Sequence, residues 1–159
     1  MHHATVARLT SSIYGTVLTV ALIAAYSAEE SLDPVLIAAA LLVTLGVFWL
    51  AHSQAELLAM RYAVGHPLSR SEMRGELRHA WPMVEAGLLP AGALLLGTIG
   101  LVSDDTSVTL ALGVGVAQLA AWGLAIGARE KLGTLQTFGV TAVNVSLGLA
   151  VVGLKLLIH

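Results

Sequence analysis

The sequence predicts an all-α, polytopic membrane protein: a bundle of five transmembrane helices with one short cytoplasmic interfacial helix, in a single domain over 1–159. Three observations carry this prediction. The chain is 57% hydrophobic and only 11% charged, whereas a typical soluble domain is about 25% charged. Its apolar residues fall in runs near the roughly 20 residues that cross a hydrocarbon core. The charges sit between those runs, and their sign alternates from one connection to the next. No cysteine is present, which excludes disulfides, thiolate ligands and thiol nucleophiles.

The first span is predicted over about 11–28, and it contains no charge. With Arg8 alone ahead of it and a weak cleavage pattern at 25–28, it reads as a retained helix and not a signal peptide. The second opens after Pro34 and crosses over about 35–60. No breaker follows Val35 until Gly65 and Pro67, so the helix is expected to reach about 30 residues, roughly 45 Å. That exceeds a core of about 30 Å, and its last two turns should tilt or project into the cytoplasm. Ser69-Arg70-Ser71-Glu72 fits a capping box, which starts the short helix at about 70–80. Met73, Leu77 and Ala80 share its apolar face. Trp81-Pro82 opens the third span, about 82–102. The fourth covers about 108–128 and the fifth about 132–158. Gly123 and Gly127 make a GxxxG pattern in the fourth span, read as internal packing in preference to a dimer seam.

The connections set the orientation. The first, over 29–34, and the third, over 103–107, are acidic. Arg61, Arg70, Arg74, Arg78, Arg129 and Lys131 lie in the second and fourth, and with Arg8 these are seven of the eight Lys and Arg residues. The positive-inside rule puts them in the cytoplasm. The N-terminus is therefore expected inside, the C-terminus outside, and the location an inner (plasma) membrane.

An ionisable residue within a span costs a few kcal/mol on insertion scales and is a functional candidate by default. His52 and Glu56 share a face of the second helix, four residues apart. Glu85 lies about one turn inside the third span, roughly 6 Å deep. The two helices are antiparallel neighbours, so these three side chains are expected to meet in the cytoplasmic third. Carboxylates with an imidazole suit Fe(II), Mn(II) or Zn(II), and the same set could relay protons. The alternative is that His52 and Glu56 are hydrated at the headgroups and Glu85 pairs with Arg61 or Arg78. His66, Glu72, Glu76 and His79 would be auxiliary ligands in the loop and short helix. Pro90 breaks the third helix and frees a backbone carbonyl. Asn144, near mid-membrane, is expected to hydrogen-bond to another helix, and with Pro90 to line the path.

Phe48-Trp49-Leu50-Ala51-His52, Trp81-Pro82-Met83-Val84-Glu85, Val143-Asn144-Val145 and Gly153-Leu154-Lys155 resemble small uncharacterised integral membrane proteins of actinobacteria. More distantly, the layout is similar to the vacuolar iron transporter-like family. Leu89-Pro90 and Leu135-Gln136-Thr137 carry the faint local likeness. Where that family has an acidic residue followed by glycine in its first helix, this chain has Ile13-Tyr14-Gly15-Thr16. The resemblance implies five spans and metal/proton antiport through a homodimer.

No P-loop, G-x-S-x-G or H-E-x-x-H occurs, and no segment outside the spans exceeds about 20 residues, so no enzyme activity is expected. No basic surface is large enough for nucleic acid. The sequence therefore points to a small transporter of a cation or divalent metal, embedded in the lipid bilayer, homodimeric and without a cofactor. The alternative is a non-transporting scaffold or accessory subunit of a larger complex.

Overall fold

The computed structural model describes the backbone of residues 2–28 and 33–158, with side chains over 8–28 and 33–153. The acidic stretch Glu29 to Leu32 and the Lys155 side chain lie outside the described residues. Helices run in the order α1 (His2–Tyr26), α2 (Pro34–Val64), α3 (Arg70–Ala80), α4 (Pro82–Thr98), α5 (Asp104–Arg129) and α6 (Thr134–Ile158). Among the described residues, five stretches are long and apolar enough to cross a membrane: Arg8–Tyr26, Pro34–Val64, Arg70–Thr98, Asp104–Arg129 and Thr134–Gly153. The third runs α3 and α4 together, because Trp81 between them keeps right-handed helical dihedrals. Pro82 separates them by lacking the N–H that would continue the ladder.

Local chemistry fixes the ends. Pro34 opens α2, and Gly65, with φ of 70°, closes it by donating its N–H to the Arg61 carbonyl. A left-handed glycine just past a helix end is the common way to satisfy the last carbonyls. The 31 residues of α2 match the expected overlong helix. Ser69 and Glu72 form both halves of the capping box: the Ser69 N–H donates to Glu72 Oε2 at 2.7 Å, and the Glu72 N–H donates to Ser69 Oγ at 3.3 Å.

Two boundaries differ from the sequence expectation. Helix α4 stops at Thr98 instead of continuing to 102, because Gly100 turns left-handed at φ of 74°. Its N–H donates to Gly97 and that of Leu101 to Leu96, the two bonds of a Schellman motif. Helix α5 starts at Asp104, four residues earlier than predicted. Ser103 caps it through the Thr106 N–H, and Asp104 and Asp105 occupy its first turn, where acidic side chains suit the positive end of the helix dipole.

The core lies among α1, α2, α4 and α5, where Ile23, Ile37, Leu41, Leu45 and Leu94 are almost wholly enclosed. Helix α6 packs on α5 through small residues. A Cβ on Gly123 would sit 2.5 Å from the Thr141 Cα, and one on Gly127 would overlap the Thr137 side chain. The GxxxG pair is thus an intramolecular seam, as the sequence suggested. Outside, Val43, Leu89 and Phe138 are 67%, 65% and 70% exposed. Large apolar side chains on every outer helix face would be a liability in water. In hydrocarbon they meet a solvent of their own kind, so this is a multi-pass membrane protein.

Candidate vestibule

Helix register places the polar residues. Gly15 of α1 lies against Met83 of α4, and Gly115 of α5 lies against Val20 of α1. Counting along the helices from these contacts puts Glu85, Val17 and Gln118 at one level. Arg8 and Arg129 share a second level, roughly 15 Å away at 1.5 Å per residue. On α2, Leu45 lies against Gly87, so the Glu85 level falls near Val47. His52 is then roughly 8 Å and Glu56 roughly 14 Å nearer the Arg8–Arg129 end.

The expected convergence of His52, Glu56 and Glu85 therefore does not form. Among the described residues, no three His, Asp or Glu side chains come close enough to hold a metal ion. The reason is the starting point of α4. Its first turns lie beside Trp49, not beside His52: the Trp49 and Trp81 rings meet edge to face at 5.3 Å. Below that level α3, not α4, accompanies α2, and the Trp49 indole donates to the Leu77 carbonyl at 3.0 Å. Ser53 is the last fully buried residue of α2, His52 beside it is half-buried, and Glu56 is exposed.

Glu85 instead lines a cavity of about 460 Å³ between α1, α4 and α5. Its other polar walls are Arg8 and Ser12 from α1, and Gln118, Trp122 and Arg129 from α5. The register makes this an elongated vestibule. Glu85 and Gln118 sit at its inner end, Trp122 one turn nearer the mouth, and the two arginines at the mouth. The Ser12 hydroxyl donates to the Arg8 carbonyl at 2.9 Å, so its donor is already used. The Gln118 carbonyl oxygen is buried without a hydrogen-bond partner. Among the described residues, Glu85 forms no ion pair with Arg8 or Arg129.

The auxiliary residues are dispersed. Glu72 is committed to the α3 cap. The Ser69 hydroxyl, and then the Ser69 N–H, hold its carboxyl below the ordinary value of 4.5, and His66 adds a smaller effect in the same direction. His66 Nδ1 lies 3.1 Å from the Pro67 carbonyl, so that nitrogen carries the proton of the bond. Its ring lines a separate, shallower groove with Arg61 and Tyr62. Glu76 and His79 are half-buried on α3. Pro90 is enclosed in the core and lines no part of the vestibule. Asn144 is buried, but its amide donates to Val140 of its own helix at 3.1 Å, not to another helix. It satisfies itself one turn back, as short polar side chains in helices often do.

Sequence reasoning missed Arg8, Ser12, Gln118, Trp122 and Arg129 as site residues. A usable signal existed: Gln118, Trp122 and Arg129 lie on one face of α5 at spacings of four and seven, and Ser12 lies one turn from Arg8. No family model, curated protein or solved structure matches the chain.

Proposed function

We propose that the protein is a small transporter of the plasma membrane that moves a solute carrying a positively charged group, with Glu85 as the working carboxylate. One observation carries this reading. A carboxylate in a chain with so few intramembrane charges lines a cavity without an ion-pair partner among the described residues. Glu85 is exposed on the α4 face it shares with Leu88 and Leu89; an unpaired carboxylate at membrane depth is costly, and its usual use is on an ion or proton pathway. Gln118 lines the cavity at the same level, and its amide oxygen is buried without a partner. Trp122 adds an aromatic face, the side chain best suited to hold an organic cation. Uptake driven by a pH gradient is part of this reading. A divalent metal is the runner-up cargo, because it prefers more hard oxygen or imidazole donors than one carboxylate and one amide provide.

In this reading the arginine-lined mouth faces the cytoplasm, by the bias of Lys and Arg to that side. The N-terminus is inside, the C-terminus outside, and α3 lies along the inner headgroups. Five short helices can hardly enclose a whole conduit, so the working unit is taken as a C₂ dimer.

The test is flux into liposomes carrying purified protein under a pH gradient, with labelled methylammonium and Mn(II) as probes. Uptake of methylammonium above empty liposomes, lost in Glu85→Gln, is the expected result. No uptake of either probe by folded, oriented protein would overturn transport. The second reading, a scaffold or accessory subunit, is favoured by the end of α2. Residues 57–64 extend roughly 12 Å beyond the Arg8–Arg129 level, and Tyr62 there is 93% exposed. Partner capture that depends on Tyr62, without flux, would select it.

A further inference from the structure

The vestibule is electrically polarised along its length. Its inner end carries Glu85, with the Gln118 side chain in the wall beside it, and its mouth carries Arg8 and Arg129. These charges share one cavity, yet no ion pair closes among them in the described residues. A simple cation satisfies only the inner end and must pass two arginines to reach it. A simple anion satisfies only the mouth and faces Glu85 beyond. Like-charge juxtaposition of this kind suppresses wrong ligands. A dipolar solute meets both ends with the right sign.

We propose that the vestibule binds a zwitterion, with a primary ammonium inward at Glu85 and a phosphate or carboxylate at Arg8 and Arg129. This deepens the transport reading above and rests on it. The ammonium donates to Glu85, and Gln118 and the Trp122 indole line the wall beside it. The guanidinium groups at the mouth present paired donors, which match the oxygens of a carboxylate or phosphate. The two levels are roughly 15 Å apart by backbone register, and the span of an arginine side chain at one end and a glutamate side chain at the other leaves less than that for the ligand. A volume of about 460 Å³ falls within the roughly 300–1,000 Å³ of small-molecule sites. The solute is either a free amino acid or phosphoamine, or the headgroup of an aminophospholipid.

The test is calorimetric titration of the full-length protein in phosphatidylglycerol nanodiscs, whose lipid lacks an ammonium. The probes are phosphoethanolamine and 5-aminopentanoate as zwitterions, ethanolamine as the cation alone and inorganic phosphate as the anion alone. At least one zwitterion is expected to bind tenfold or more tightly than ethanolamine or phosphate. Arg8→Gln with Arg129→Gln should erase that tenfold preference. Glu85→Gln should weaken zwitterion and ethanolamine alike. Ethanolamine binding as tightly as the zwitterions would overturn this inference and leave the cation transporter standing. Phosphate binding as tightly as the zwitterions, or no binding of any probe by folded protein, would overturn both. If phosphatidylethanolamine nanodiscs reduce soluble-zwitterion binding, the source is the lipid headgroup; undiminished binding assigns the free solute.

Discussion

Gln118 holds an amide oxygen buried without a partner, an arrangement that a stability-driven sequence would remove. Leaving such a group unsatisfied costs about 1–3 kcal/mol, and an apolar side chain of similar shape can relieve it. Gln118→Met is therefore expected to raise the melting temperature in detergent while weakening binding in the vestibule. A variant that loses both would make Gln118 a packing residue. Ser53 is the internal comparison. Its hydroxyl is also buried and unpartnered, but it lies on α2, away from the vestibule walls. Ser53→Ala is expected to leave flux unchanged and stability equal or slightly raised, read by thermal shift and the liposome assay together. At this scale the sequence was only partly legible. It marks Glu85 as an ionisable residue that lipid must tolerate, but whether it shares a wall with Gln118 depends on how α4 and α5 are staggered against α1. That stagger is set by contacts such as Gly15 on Met83 and Gly115 on Val20, between residues far apart in the chain.

Helices were more legible than sites, because their ends are written in local chemistry. The α3 cap depends on Ser69 and Glu72 in both directions, and the motif can be read without any tertiary information. Ser69→Ala should cost about 1 kcal/mol of local stability, seen as roughly fivefold faster hydrogen exchange confined to α3. Because the Glu72 carboxyl is held below its ordinary 4.5, the cap is fully present above that value. It weakens only as pH falls through the lowered one, so α3 exchange should show no cap-related change between pH 6 and 8. The boundaries that differed, at Thr98 and Asp104, turn on Gly100 and Ser103, which sit inside what hydropathy alone treats as one loop. At the α5–α6 seam, Gly123→Val would drive methyl groups into the Thr141 backbone. Overpacking of this kind typically costs about 1–3 kcal/mol, so a clear fall in melting temperature is expected without a change in the monomer–dimer balance. A shift in that balance at constant stability would move the seam from inside the chain to between chains.

For the whole molecule, the hydropathy runs were enough to find the five crossing helices, since each must be long and apolar whatever it packs against. The expected metal cluster failed for a reason at the same scale. His52 and Glu56 lie on the length of α2 that α4 does not accompany, so the depth inferred from Trp81-Pro82 misjudged where α4 begins beside α2. The vestibule that forms instead needs three helices, α1, α4 and α5, and no single stretch of sequence contains it. Its central property is water access from one side to the level of Glu85 and Gln118. The chain has no cysteine, so a single introduced thiol can report this without background. Gln118→Cys should react with a membrane-impermeant maleimide from the cytoplasmic face of oriented vesicles and not from the outer face, while Val43→Cys, exposed on α2 away from the cavity, stays unreactive from both. Gln118→Cys that is unreactive from both faces, or reactive only from outside, would contradict a cytoplasmic vestibule ending at Glu85.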